Sequence, residues 1–145
     1  MKKLFFPLLK IMFILGCTEE NKNLVPTVSK EKKLESAIQV ILDIPEFQWI
    51  YHPEIPERTP VKLLVNEVIN EKMSLTKFNE QVVFYKKYEV FSKSIKDYIE
   101  FIDLDYENDT LNFSFRYNIE GAVASGTLLD INNEWTVLSA NIYEK

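Results

Sequence analysis

Apolar residues recur at helical spacing in one segment. Between 30 and 43, Leu34, Ala37, Ile38, Ile41 and Leu42 fall at i, i+3, i+4, i+7 and i+8, a single stripe down one side of a helix. Pro45 ends that helix, because a proline pushes the residue before it, here Ile44, toward extended backbone. Lysines at the start and Asp43 at the end oppose the helix dipole, so burial of the stripe must hold the segment together. From residue 98 the period becomes two. Ile102, Leu104 and Tyr106 alternate with Asp103, Asp105 and Glu107; Leu111, Phe113, Phe115 and Tyr117 alternate with Asn112, Ser114, Arg116 and Asn118. A small-residue strand over 122–131 and a closing strand over 135–143 follow. Asn108-Asp109, Glu120-Gly121 and Asn132-Asn133 supply the turns of an antiparallel meander. Ala124 and Gly126 leave room on one face, where a helix can approach closely.

The middle of the chain is less regular. Four of the six prolines, Pro45, Pro53, Pro56 and Pro60, fall within 45–60, a density that excludes regular helix and central strand. That stretch also carries Phe47, Trp49, Ile50 and Tyr51, which predicts an ordered connection packed against the body. Two readings stay open: a strap covering the core, or a binding lip formed by Phe47, Trp49 and Tyr51. Residues 61–69 read as a strand or as a helical turn. Residues 70–77 read as a turn region, 81–91 as a strand through Val82-Val83-Phe84-Tyr85 to Phe91, and 92–97 as a link.

Composition is that of a folded domain: 46% hydrophobic, 13% aromatic and only three glycines in 145 residues. The formal charge of −5 disfavours nucleic acid and anionic headgroups as partners. One cysteine admits no internal disulfide and no Cys/His metal set.

That cysteine closes the run Ile14-Leu15-Gly16-Cys17, preceded by Met1-Lys2-Lys3 and an apolar stretch over 4–15. The run resembles the lipobox of bacterial lipoproteins. The resemblance implies cleavage before Cys17, acyl chains on Cys17 and attachment to a membrane of the cell envelope. The competing reading is an uncleaved apolar helix that anchors or packs, although 4–15 is shorter than a membrane span. Three lysines would leave with the leader, making the mature chain more acidic still. Thr18-Glu19-Glu20 resembles the acidic patch that follows the lipidated cysteine in surface-exported lipoproteins of the Bacteroidota; a soluble acidic spacer is the other reading. The expected division is a signal peptide over 1–16, a lipidated tether over 17–29 and a single α+β domain over 30–145. One helix packed on a curled antiparallel sheet is similar to cystatin-like and NTF2-like architectures. The run Tyr117-Asn118-Ile119-Glu120-Gly121, with Asn132-Asn133-Glu134-Trp135-Thr136-Val137, is similar to the closing hairpin of small lipoproteins of that class.

Candidate chemistry is sparse. His52, the only histidine, precedes Pro53, and Ser125-Gly126 lacks the glycine two positions before the serine that a nucleophile elbow needs. Asp103, Asp105, Glu107 and Asp109 form an acidic comb. An EF-hand register puts Asn108 where glycine is required and Ser114 where the bidentate glutamate is required, so the comb reads as a solvated face guarding against edge pairing, within reach of Arg116. No phosphate loop, HExxH or dinucleotide fingerprint occurs. The expectation is a non-enzymatic, cofactor-free and metal-free lipoprotein, bound to the membrane through Cys17 and able to contact a protein partner. An immunity-type protein that captures a basic toxin, and a small envelope enzyme, are the alternatives.

Overall fold

The computed structural model describes residues 29–144; the leader, Cys17 and the tether up to residue 28 lie outside them. The first helix, α1, spans Lys30–Asp43, the range its apolar stripe predicts. Ser29 caps it, its Oγ accepting from the Lys32 backbone N–H at 3.3 Å. Ala37, Ile38, Ile41 and Leu42 are buried and Leu34 is half-buried at the stripe's edge. Asp43 sits at the unfavourable end of the dipole for a reason outside the helix. Its Oδ1 accepts from the Lys77 ammonium at 2.8 Å and its Oδ2 from Gln39 Nε2 at 2.7 Å.

The expectation that proline density excludes a regular helix over 45–60 needs correction. Pro45–Tyr51 is a 3-10 helix, and Pro56–Arg58 a second short one. Pro45 and Pro56 each stand at a helix start, where the missing N–H costs nothing. The longer of the two buries Phe47, Ile50 and Tyr51. Gln48 Nε2 donates back to the carbonyls of Leu42 and Ile44, at 3.1 and 2.7 Å, fixing the corner with α1.

Six strands form one sheet: β1 (Lys62–Leu64), β4 (Val83–Tyr85), β5 (Ile99–Glu107), β6 (Thr110–Tyr117), β7 (Ala122–Ile131) and β8 (Glu134–Tyr143), in the order β4-β1-β5-β6-β7-β8. A separate pair, β2 (Thr76–Lys77) and β3 (Glu80–Gln81), forms a small antiparallel ribbon. The meander β5–β8 is antiparallel throughout, whereas β1 runs parallel to both β4 and β5. The class is α+β, with a mostly antiparallel sheet not closed into a barrel.

Three further expectations change. The strand over 81–91 stops at Tyr85, and a second helix, α2 (Lys87–Ser92), replaces its end. Glu89 accepts from the Lys86 backbone N–H at 2.9 Å and from Lys93 Nζ at 3.1 Å, which caps and braces the turn; Val90 is buried while Tyr88 and Phe91 face outward. Ile102 points outward, because a bulge between Phe101 and Asp103 shifts the alternation; Phe101 takes the core position instead. The space at Gly126 is filled from within the sheet. A Cβ there would meet the Ser139 carbonyl oxygen and the Phe113 ring, 2.7 Å away at Cζ. The glycine therefore lets an aromatic ring from the neighbouring strand lie across β7.

The core is aromatic at its centre. Phe47 stands edge-on to Phe113 and Phe115, with centroids 6.2 and 5.4 Å away, and Phe101 tilts against Phe115 at 5.6 Å. Leu111, Phe113, Phe115 and Tyr117 are all buried, as their alternation predicts.

Candidate binding groove

Where α1 crosses the tips of the two hairpins, the side chains do not close over the core. Leu34, Val68, Leu104 and Leu111 floor a groove of about 320 Å³, Tyr106 and Trp135 stand beside it, and Lys30, Lys33 and Asp105 line its mouth. Each wall follows from local structure. Leu34 is the half-buried edge of the α1 stripe, Leu104 and Tyr106 are the alternate residues of β5 after the bulge, and Trp135 is the second residue of β8.

The groove is held by a polar lock. Lys33 pairs with Asp130 and lies over two rings, its ammonium 5.1 Å from the Tyr106 centroid and 5.8 Å from that of Trp135. Trp135 Nε1 donates to the Lys33 carbonyl at 3.2 Å and to Ser36 Oγ at 3.0 Å, stitching β8 to α1. The two rings meet edge-to-face at 5.8 Å. Tyr106 donates its hydroxyl to Asp109 Oδ1 at 3.3 Å, and the Asp130 backbone N–H donates to the Asp109 carbonyl at 2.7 Å, so the hairpin tips are joined as well. The hydrogen bond to Asp130, with a second to Tyr106, pushes the Lys33 ammonium well above the ordinary lysine range and keeps it charged. The Asp130 side chain is almost wholly buried, and its Oδ1 has no partner among the described residues.

Two other polar clusters are latches. At the far end of the sheet, Arg58 Nη2 donates to Glu120 Oε1 at 2.6 Å and Nη1 to the Tyr117 hydroxyl at 3.3 Å. That hydroxyl donates to Asp97, which also takes Lys62 Nζ at 2.6 Å. Burial, then the bond to Asp97, pushes the Tyr117 phenol up. Every charge in the set is answered by another, and the set ties the proline-rich strap to β6. In the second cluster, Lys77 is buried beside Tyr51 and Phe78, 5.5 and 4.9 Å from their centroids, and reaches Asp43. A broader depression beside the start of α1 is lined by the charged side chains Glu31, Lys32, Glu35, Glu71, Lys72 and Lys86 around Val65 and Met73.

The structure divides the three aromatic residues singled out in the strap. Phe47 and Tyr51 are 0% and 1% exposed and belong to the core; Trp49, at 50%, faces outward. Buried rings cannot form a lip, because a 3-10 helix turns residues 47, 50 and 51 to one side and Trp49 to the other. His52 ends that helix in a left-handed conformation, φ 47°, with Nδ1 2.8 Å from Glu54 Oε1. Asp103, Asp105 and Glu107 share the outer face of β5, opposite Ser114, Asn112 and Thr110, while Arg116 stands across from Glu100. Among the described residues no cluster of three His, Cys, Asp or Glu side chains could hold a metal ion, and no helix is long and apolar enough to cross a membrane. Cys17 lies outside the described residues.

Sequence reading missed the groove, although part of its signal is there. Lys33 precedes Leu34 at the edge of the helical stripe, and Leu104 and Tyr106 carry the inward alternation of β5. The pairing of Lys33 with Asp130 joins residues nearly a hundred positions apart and has no local signature. Compared with family models, curated proteins and solved structures, the chain matches none of them.

Proposed function

We propose that this protein is a lipoprotein of the bacterial cell envelope, anchored by acyl chains on Cys17, whose domain works by binding a protein partner rather than by catalysis. The lipobox-like run Ile14-Leu15-Gly16-Cys17 supports the anchor, and the outer membrane, on its periplasmic or surface face, is the proposed address. The helix set against an open, mostly antiparallel sheet supports assignment to the cystatin-like or NTF2-like group.

One observation carries the binding reading: the groove has an apolar floor, and the polar groups of its walls are already engaged. Lys33 is taken by Asp130, Tyr106 by Asp109 and Trp135 Nε1 by α1, which leaves hydrocarbon and ring surface to offer. Such a cleft takes an apolar side chain from a partner, with Lys30 and Asp105 at the mouth to orient its backbone. Val68 tests this, since it lines the groove without being fully buried. Val68→Glu in the full chain abolishes capture of the partner from native membranes while leaving the circular dichroism spectrum unchanged. Undiminished capture overturns the reading.

A second reading, an immunity-type protein, is favoured by the exposed carboxylates Asp103, Asp105 and Glu107 on one face of β5, which steer a basic partner. Asp103→Lys with Glu107→Lys then slows association and flattens its dependence on salt; an unchanged rate contradicts it.

A further inference from the structure

We propose that the free edge of β8 is a dimer seam, on which a second copy of this chain lays its own β8 antiparallel to the first. Among the described residues, β8 ends the sheet and is hydrogen-bonded on its β7 side only. It is ten residues long. A row of unpaired backbone N–H and C=O groups of that length is a template for another strand, and proteins guard such edges by shortening them or by adding charge or proline. The opposite edge is guarded in this way: β4 has three residues and is followed by Lys86 and Lys87. From Trp135 to Tyr143, β8 has neither a charged residue nor a proline.

Charge selects the occupant. Copies that each carry a net negative charge, −5 with the leader and more without it, repel one another, so a neutral strip is where they meet at least cost. The outer face of β5, with Asp103, Asp105 and Glu107, is closed to a copy, and β8 is open to one. A basic peptide, the complement of an acidic protein, finds one carboxylate on β8, Glu134 at its start, and none from Trp135 to Tyr143 to reward it. An antiparallel pair of identical strands is also self-complementary and closes after two copies, so the seam does not propagate into a filament.

The register follows from a bulge. Thr127 pairs with Ser139 and Leu128 with Val137, which leaves Leu138 unpaired and breaks the alternation there. The regular run is therefore Ser139 to Tyr143. Within it, Ala140 and Ile142 lie opposite Gly126 and Ala124 and pack against the core, while Ser139, Asn141 and Tyr143 face the other way. A two-fold axis through Asn141 sets Ala140 against the second copy's Ile142 and Ser139 against its Tyr143. Core face meets core face, as a shared sheet requires.

The experiment uses the full chain in mild detergent. Sedimentation gives a dimer for the unchanged chain, and Asn141→Lys, which brings two ammonium groups face to face, raises the dissociation constant by at least about tenfold. Asn141→Cys gives a disulfide-linked dimer under mild oxidation. Directly opposed residues of an antiparallel pair have Cα atoms about 4.5–5.5 Å apart, within disulfide reach. Thr136→Cys, on the far side of the bulge, stays uncrosslinked, and the unchanged chain treated alike controls for Cys17. A monomer at the highest attainable concentration overturns the proposal. So does a dimer indifferent to Asn141→Lys, or cross-linking at Thr136 as ready as at Asn141.

Discussion

On one side of the molecule, β5 to β8 run eight to ten residues each, every strand laddered to its neighbour in sequence across a short turn. On the other, β1 and β4 are three residues each, run parallel, and are separated by a turn region and the small ribbon β2–β3. The two sides are held by different physics. The meander rests on inward alternation and ring packing around Phe115. The irregular side rests on single side chains that answer backbone groups. Asn66 donates to the Phe101 carbonyl at 3.1 Å and accepts from the N–H groups of Val68 and Ile69 at 2.9 and 2.8 Å. Gln39 does the same for Thr76, at 2.9 and 3.0 Å. Neighbour-to-neighbour pairing satisfies the backbone by itself, whereas parallel strands reached through loops need such pins.

The largest expected effect lies in the meander. Phe115→Ala removes the ring shared by Phe47 and Phe101 from a fully buried site and costs about 3–5 kcal/mol, read from the urea midpoint. A loss below about 1 kcal/mol would mean that the meander does not carry the fold.

Alkali probes the latches of both sides together. Tyr51, raised by burial and then by the charge of Asp43, Tyr117, raised by burial and then by Asp97, and Lys33, raised by Asp130, all hold their protons more tightly folded than unfolded. Their contribution is complete below the ordinary values near about 10 and is lost as pH rises toward the folded ones. The urea midpoint therefore falls steadily above about pH 10, and Tyr51 and Tyr117 keep their protons in the folded chain past the pH at which a free phenol loses its own. Titration of Tyr51 and Tyr117 in the folded protein at the pH of a free phenol would contradict their placement.

Asn66→Ala strips three hydrogen bonds from the irregular side and costs about 1–3 kcal/mol, with hydrogen exchange rising at Val68 and Ile69 before the meander opens. Exchange that rises uniformly would erase the distinction between the sides. Two phenylalanine substitutions sharpen the same point on a smaller scale. Tyr117→Phe takes a hydrogen bond from Asp97 and costs about 1 kcal/mol. Tyr51→Phe removes a buried hydroxyl that has no partner among the described residues and leaves stability unchanged or raised by up to about 1 kcal/mol. Smallest is Phe91→Ala on exposed α2, within about 0.5 kcal/mol of the unchanged chain.

This division explains what could be read from the sequence. Helix α1 and strands β5 to β8 repeat a period long enough to recognise, and their ranges follow from Leu34 to Leu42 and from Leu111 to Tyr117. The bulge at Ile102 was not legible, because one inserted residue leaves composition unchanged while reversing a face. Helix α2 hid behind the β-forming residues Tyr88, Val90 and Phe91; its true signal is the brace from Glu89 to Lys86 and Lys93. The aromatic content of the strap predicts that it packs down, as it does, but which of its rings pack depends on 3-10 phase, so Phe47 and Tyr51 carry no sequence mark that sets them apart from Trp49. The groove depends on Lys33 meeting Asp130 and Trp135 across the whole chain, a contact that only the tertiary fold creates.

Everything proposed about where this domain works depends on the chemistry of Cys17. The intact mass of the protein purified from membranes tests it most directly. The account predicts a chain that starts at Cys17 and carries added acyl mass, removable as an N-terminal lipopeptide. A mass equal to the full 145 residues, with Met1 in place and the thiol free to alkylate, would contradict it.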